Sequence, residues 1–177
     1  LRRARIGCGP VLVRGDIREL PFRKRCRFSL VMAPYGMLQS LLRDTDLTAT
    51  LKAVAAVLSR GGIFGIDLVP DLPKWKEYRR HVALRGRMSG GRHVTLIESV
   101  RQDRRRHLTI FDEEFIERRG RQRVAHRFSL AFRTLTVLQV TNHLERAGFR
   151  IDAVLGDYGG DEWVPEADVW MILARRR

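Results

Sequence analysis

The sequence lacks the features of a disulfide-stabilised, a zinc-binding or a membrane-spanning protein. It has only two cysteines, Cys8 and Cys26, which are too few for a disulfide framework and lack zinc-site spacing. No apolar run approaches the ~20 residues that a membrane-spanning helix needs, and no signal peptide stands at its start. We therefore expect a cytoplasmic protein without a metal centre and without a membrane partner.

Lysine is also scarce, because only four of the 34 basic residues are lysines and all the others are arginines. With 20 acidic residues, the formal net charge is +14 at pH 7. Such an excess is one signature of nucleic-acid binding, but binding modules usually concentrate their charge on one stripe. Here the arginines are interleaved with acids along the chain. Nucleic-acid binding is therefore possible but is not the favoured function.

The first 70 residues have the pattern of an α/β protein. Short apolar runs at 11–17, 28–34 and 63–68 predict strands that are covered on both faces of a parallel sheet. Between the second and third runs, apolar residues at helical spacing predict a helix over 46–59 that ends at Gly61. Strand, helix and strand form a right-handed crossover. This part of the chain therefore predicts an open parallel sheet.

A different pattern begins after Pro70. A helix is predicted over 75–84. Three longer runs, at 93–101, 106–117 and 123–133, then alternate between apolar and polar residues, which is typical of antiparallel strands. We expect an antiparallel meander inserted into the α/β protein.

The last part returns to the α/β pattern. Thr134 or Thr136 can cap a helix that runs to Ala147, and two further strands are predicted over 149–155 and 168–173. A polar, glycine-rich loop joins these strands.

This order of elements resembles the C-terminal two-thirds of a class I S-adenosylmethionine-dependent methyltransferase of the small-molecule type. The segments that carry the resemblance are Arg-Gly-Asp-Ile-Arg-Glu-Leu-Pro-Phe at 14–22, Phe-Ser-Leu-Val-Met-Ala-Pro-Tyr at 28–35, Leu-Ser-Arg-Gly-Gly-Ile-Phe at 58–64 and Leu-Glu-Arg-Ala-Gly-Phe at 144–149. It implies a Rossmann-like sheet of strand order 3-2-1-4-5-7-6, here without its first two strands, and with the β-meander as an insertion.

The resemblance also implies a division of the chain into three parts. Residues 1–70 would be a partial cofactor-binding part, 71–133 a helix plus the meander, and 134–177 the last helix and strands of the same domain. Because the first residue is Leu1, we expect a piece of a longer chain that is inactive alone. The glycine-rich cofactor loop would then lie upstream. The Gly-Cys-Gly at 7–9 is not that loop, because it precedes a strand instead of opening a helix.

The carboxyl ends of the strands are where ligands bind in open α/β sheets. The resemblance places the adenine of S-adenosylmethionine at the end of the first predicted strand, where Asp16 would accept from its amino group. Gly15 and Ile17 flank this contact, and the amide of Ile17 would donate to a ring nitrogen. The alternative is that Asp16 only fixes a tight turn, as Gly-Asp pairs often do.

The end of the second predicted strand would pass under the cofactor. Carbonyl groups of Met32 or Ala33 would accept from its amino group, and Tyr35 would lie near the transferred methyl. Gln39 would contact cofactor or substrate. Tyr35 could equally be a packing ring, and Gln39 a surface residue. A third strand end, at Asp67, receives no role from the sequence.

Four aromatic residues are candidates for substrate binding: Tyr35, Trp75, Tyr158 and Trp163. Loop packing is the alternative for the last two. No catalytic base is assigned, since some sugar-modifying relatives carry histidine or tyrosine near the position of Ser40, and serine is a poor base. The resemblance thus implies methyl transfer from S-adenosylmethionine to a small-molecule acceptor, with a possible homodimer through the meander. An arginine-rich nucleic-acid-binding protein or an RNA-directed methyltransferase is the alternative.

Overall fold

The structure, a computed structural model, describes residues 11–23, 27–69, 77–167 and 169–177. Its elements in chain order are β1 (Phe28–Ala33), α1 (Asp44–Val57), β2 (Leu58–Leu68), β3 (Tyr78–Met88), β4 (Arg92–Asp103), β5 (Leu108–Arg119), β6 (Gln122–Arg133), α2 (Val137–Arg146), β7 (Phe149–Leu155) and β8 (Trp170–Arg176). The strands form two four-stranded sheets, in the orders β1-β2-β8-β7 and β3-β4-β5-β6. We call the first the α/β sheet and the second the meander.

The α/β sheet carries the main core, between one of its faces and the two helices. Phe64 and Ile66 of β2 and Ile172 of β8 point to this side and are at most 2% exposed. Leu47 and Leu51 cover them from α1 and are fully buried, because residues four apart share one face of a helix. β1 and β2 are parallel, whereas β8 is antiparallel to both β2 and β7. The described order therefore corresponds to positions 4-5-7-6 of the order that the resemblance implies.

Helix α2 begins as its sequence predicts. The hydroxyl of Thr136 accepts from the amide of Gln139, and the Gln139 side chain accepts in turn from the amide of Thr136. This reciprocal pair is a capping box, which satisfies amides that the first helical turn leaves without partners.

The prediction that α1 ends at Gly61 is wrong, because α1 ends at Val57 and Leu58 already belongs to β2. Gly61 has φ +73° and lies at an irregularity in β2, where the pairing with β1 slips between Phe28 and Leu30. A glycine in the left-handed region is one of the conformations that make a bulge. The glycine therefore bends a strand and does not end the helix.

The predicted strand over 11–17 is also not formed. Val11 and Leu12 are 87% and 92% exposed, and the segment contributes only an isolated bridge between Asp16 and Glu19. A strand is held by hydrogen bonds to a neighbour, and β1 is the terminal strand of the described α/β sheet. The apolar run alone is therefore not enough to make a strand.

The predicted helix over 75–84 is corrected as well. Residues 70–76, and with them Trp75, lie outside the described residues, and Tyr78–Met88 is the first strand of the meander. β3 pairs with β4 along nearly its whole length, with two irregularities. Helical spacing of side chains is a weak signal that sheet pairing overrides. The meander therefore has four strands, of which the sequence predicts three.

No helix in the described part of the chain is long and apolar enough to span a membrane.

Candidate functional site

The turn after β1 has an unusual backbone. Tyr35 and Gly36 follow each other with φ 60° and 62°, both in the left-handed region. At Gly36 an added Cβ would lie 2.7 Å from the Oε1 atom of Gln39, so glycine is required there. For Tyr35 this conformation costs on the order of 1–3 kcal/mol, and such residues cluster at functional sites. Tyr35 is 88% exposed. This turn is the centre of the candidate site.

Asp67, near the end of β2, holds the turn from the neighbouring strand. One carboxylate oxygen accepts from the amide of Gly36 at 2.9 Å, and the other accepts from the hydroxyl of Tyr158 at 2.7 Å. Asp67 is 7% exposed. The sequence marks it only as a polar residue at a strand end, and its partners lie 31 and 91 residues away. Its role could not be read from spacing.

A cavity of about 650 Å³ lies over the face of the α/β sheet that is opposite the helices. We call it the sheet-face cavity. It is mostly apolar, and its walls come from β1, β2, β8 and the loop between β7 and β8. The lining residues that matter here are Met32, Tyr35, Asp67 and Tyr158.

A second cavity, of about 570 Å³, lies between the α/β sheet and the meander. We call it the inter-sheet cavity. Phe111, Leu130 and Phe132 of the meander form its apolar wall, and Tyr35 lines it from the other side. Tyr35 lines both cavities, so the two cavities share one side chain just beyond the end of β1.

Gln39 connects the two sheets beside this junction. Its amide nitrogen donates to the carbonyls of Val69 and Arg133 at 2.8 and 3.3 Å, and its oxygen accepts from the amide of Val69 at 2.9 Å. The residue is 2% exposed. Gln39 therefore acts as a clamp in this structure, and its contact with cofactor or substrate stays a prediction.

Two glutamates give the inter-sheet cavity its charge. Glu98 of β4 and Glu113 of β5 are directly opposite each other in the antiparallel register and both line the cavity. Like charges at such a position destabilise a sheet. The hydroxyl of Tyr78 donates to Glu98, and burial together with this carboxylate raises the pKa of Tyr78 to about 12. Tyr78 is therefore a neutral donor and does not cancel the charge.

The wall also holds one basic group. Arg133 lines the inter-sheet cavity, and one nitrogen of its guanidinium contacts Asp44 at 2.6 Å, whereas its Nε and Nη2 atoms are buried without a hydrogen-bond partner. The two glutamates, Glu98 and Glu113, therefore outnumber the one basic residue of this wall. The sequence shows both acids, but only the register of β4 and β5 shows that they face each other.

The segment predicted to hold adenine lies at the same edge of the α/β sheet as the turn. Arg18 pairs with Asp16 at 2.7 Å and with Asp46, in the first turn of α1, at 3.0 Å. α1 begins at the same edge of the α/β sheet at which β1 ends, because a helix between two parallel strands runs back across the sheet. Hydrogen bonds from Arg18 lower the pKa of Asp16 to about 2. Asp16 also accepts from the amide of Arg18 at 2.9 Å, which is the turn that the alternative reading predicts.

The remaining predicted residues fall in different surroundings. Ala33 is a core residue at 1% exposure, whereas Met32 is 64% exposed and lines the sheet-face cavity. Trp163 packs edge-on against Trp170 at 6.0 Å and lines neither of the two cavities. Tyr158 lines the sheet-face cavity. The roles assigned to these residues from the sequence stay predictions.

Within the described residues, no group of three or more His, Cys, Asp or Glu side chains could hold a metal ion.

Comparison with known proteins shows similarity at the level of structure. The sequence matches no protein-family model and no curated protein. Among solved structures, an S-adenosylmethionine-dependent methyltransferase from Clostridium acetobutylicum matches with a TM-score of 0.75 and 16% identity over 96% of this chain and 66% of that one. A sugar N-methyltransferase from Streptoalloteichus matches with a TM-score of 0.70 and 16% identity over 92% of this chain and 61% of that one.

An amino pentose methyltransferase from Micromonospora echinaspora, solved with bound S-adenosylmethionine, matches with a TM-score of 0.62 and 19% identity. That match covers 92% of this chain and 63% of the other. The chain therefore spans about two thirds or slightly less of the length of these structures. The fold class predicted from the sequence is confirmed: the chain has the Rossmann-like fold of the class I S-adenosylmethionine-dependent methyltransferases.

Proposed function

We propose that this chain takes part in methyl transfer from S-adenosylmethionine to a small-molecule acceptor. The observation that carries the proposal is the meeting of two cavities at Tyr35, at the carboxyl end of β1. Ligands of open α/β sheets bind at this edge, and both cavities have the size of small-molecule sites. In the proposal the sheet-face cavity lies on the cofactor side and the inter-sheet cavity on the acceptor side.

The residues at this edge of the α/β sheet, some of which line the sheet-face cavity, fit the cofactor's chemistry. Asp16, with Gly15 and Ile17, would hold the adenine, and an incoming amino group would compete with Arg18 for the carboxylate. The end of β1, at Met32 and Ala33, would lie under the cofactor. The oxygen of Tyr158 and the ring of Tyr35 suit a cation, because oxygen lone pairs and aromatic faces both attract positive charge.

When bound, the cofactor supplies a methyl group on a positively charged sulfur, which the acceptor displaces in line. This chain's own contribution is alignment. Holding two reactants in the right geometry can lower the activation barrier by at most about 7–11 kcal/mol. One side chain, Tyr35, borders both cavities. The fixed backbone of the turn keeps that border in place.

We propose further that the acceptor is an amine. Glu98 and Glu113 give the inter-sheet cavity a negative wall that suits an ammonium group, and a bound cation would relieve their mutual repulsion. The carboxylate of Glu113 would take the ammonium proton, which leaves the nitrogen lone pair free to accept the methyl group. Two of the similar structures named above are a sugar N-methyltransferase and an amino pentose methyltransferase, which supports this acceptor class.

The other predictions belong to the same proposal. The three-part division into 1–70, 71–133 and 134–177, and the cytoplasmic location, stay predictions. The homodimer through the meander, which the resemblance implies, also stays one. Exposed apolar side chains of the meander such as Leu84, Val124 and Phe128 are compatible with it, and sedimentation velocity would test it. Meander arginines such as Arg127 pair with acids, so nucleic-acid binding is not taken further.

Calorimetry with S-adenosylhomocysteine tests the cofactor assignment. The complete product of the gene should bind it, and Asp16→Ala should weaken binding at least tenfold, because the adenine loses a charge-assisted hydrogen bond. Asp103→Asn, in the meander, is the matched control and should bind normally. No binding by the wild-type protein, or equal affinity in Asp16→Ala, would contradict the assignment.

The acceptor class is tested with two probes of the same shape, cyclohexylamine and cyclohexanol. The amine should bind more tightly, and Glu113→Gln should remove most of that preference. Glu117→Gln, further along β5, is the control. A preference for the alcohol, or a preference unchanged in Glu113→Gln, would rule out the amine.

A further inference from the structure

Asp67 is a carboxylate in an apolar setting. It lies directly opposite Met171 in the pairing of β2 with β8, on the sheet face that Leu30, Met32 and Leu173 line. An ionised carboxylate is costly to bury unless hydrogen bonds or a cation compensate it. Among the residues that the structure describes, no basic side chain forms an ion pair with Asp67, which accepts hydrogen bonds from an amide and a phenol.

These two partners come from different parts of the candidate site. Gly36 belongs to the left-handed turn after β1, and Tyr158 belongs to the loop between β7 and β8. Both elements line the sheet-face cavity through Tyr35 and Tyr158. One buried carboxylate therefore fixes two of the cavity walls relative to β2.

The bond to Asp67 also fixes the direction of the Tyr158 hydroxyl. Because the proton points to the carboxylate, the lone pairs of the phenol oxygen are left for other partners. The bond to Asp67, burial and the negative charge of Asp67 raise the pKa of Tyr158, so the phenol stays protonated. Tyr158 is 69% exposed as a residue and lines the sheet-face cavity.

We propose that Asp67 is a positioning residue that acts through Tyr158. By accepting a hydrogen bond from the Tyr158 hydroxyl, it leaves the lone pairs of the Tyr158 oxygen for a positively charged group in the sheet-face cavity. This inference rests on the proposed function, in which that group is the sulfonium of S-adenosylmethionine. It adds a prediction that the proposed function does not contain: the site distinguishes the charged cofactor from its neutral product through a residue that touches neither.

Asp67→Asn is the sharpest variant, because it keeps the size of the side chain. The amide oxygen can still accept from Gly36, whose N–H is a fixed donor. The amide nitrogen then meets the Tyr158 oxygen as a donor, so the phenol must turn its proton outward. We expect the ratio of affinities for S-adenosylmethionine and S-adenosylhomocysteine, measured by calorimetry, to fall by roughly fivefold or more, which is about the loss of one charge-assisted contact.

A second readout does not depend on the cofactor. The protein has three tyrosines, so an NMR titration with ring-labelled tyrosine resolves each of them, and Tyr158→Phe identifies the signal of Tyr158. Its pKa should fall in Asp67→Asn, because the carboxylate that disfavours the phenolate is gone. An unchanged pKa would contradict the geometry.

The variant Tyr158→Phe separates positioning from a structural effect. It should lower the affinity ratio as Asp67→Asn does, and adding Asp67→Asn to Tyr158→Phe should change the ratio little further. Asp152→Asn, a surface carboxylate of β7, is the control. If both cofactor forms bind and Asp67→Asn leaves their ratio unchanged, the inference is wrong and the proposed function stands. If the wild-type protein binds neither form, both are wrong.

Discussion

The α/β sheet and the meander are built from similar strands but are stabilised in different ways. The buried core cluster is drawn from the α/β sheet, its helices and the segments that join them. The meander has few buried residues. Ion pairs link its strands instead, such as those of Glu114 with Arg80 and Arg127. The two sheets therefore contribute differently to the candidate site. The helix-covered sheet supplies a rigid frame for the turn at Tyr35, and the meander supplies the second wall of a cavity.

The largest expected effect is a difference between the two sheets in the stability lost when a phenylalanine is replaced by alanine. Phe149→Ala removes a fully buried ring of the α/β sheet and should lower the free energy of unfolding by about 3–5 kcal/mol. Phe128→Ala removes a ring of the meander that is 53% exposed, and should cost well under half as much. Urea denaturation measures both. Similar losses would mean that the meander has a core of its own.

The second largest expected effect is the loss of stability on replacing Gln39, which connects the two sheets. Gln39→Ala removes three hydrogen bonds to the backbones of Val69 and Arg133 and leaves buried groups unsatisfied, so we expect a loss of about 1–3 kcal/mol. Gln122→Ala, on the exposed start of β6, is the control and should change little. If Gln39→Ala were as stable as the wild-type protein, the two sheets would be held together elsewhere.

The charged face of the meander gives the smallest effect, and it depends on pH. Hydrogen bonds from Arg127, and then the charge of Arg80, hold the pKa of Glu114 below its usual value. The folded state therefore binds fewer protons than the unfolded state. The stabilisation is complete above the usual glutamate pKa of about 4.3 and is lost as the pH falls through the folded-state value.

Glu114→Gln should consequently lower stability at pH 7, and this loss should shrink as the pH falls below the usual glutamate pKa of about 4.3. Thermal unfolding of both proteins across this range measures the effect, with Glu117→Gln as the control. A difference that grows towards acid pH would show that the carboxylate does not act through its ion pairs.

The sequence predicts those elements whose signal is local. The apolar residues of α1 recur every three or four positions, and Thr136 with Gln139 marks the start of α2. The alternation of β4, β5 and β6 is equally visible. The errors concern elements that depend on distant partners. Residues 11–17 have the composition of a strand but pair with no described strand, and β3 is a strand only because β4 lies beside it.

The candidate site follows the same rule. Tyr35 could be predicted because it directly follows an apolar strand. Asp67 and Tyr158 are joined across 91 residues, and Glu98 and Glu113 face each other only through the register of two strands. Side chains that meet through tertiary structure leave no spacing in the sequence. The resemblance implied the cofactor and the strand ends, but not the charge of the inter-sheet cavity.

The central claim is that cofactor and acceptor meet at the turn after β1. The most direct measurement is a crystal structure of the complete gene product with S-adenosylhomocysteine at saturating concentration. We expect the sulfur to lie in the sheet-face cavity within contact of Tyr35 and Tyr158, with the adenine at Asp16. Density for the ligand at another edge of the sheet, or with the sulfur away from Tyr35, would contradict it.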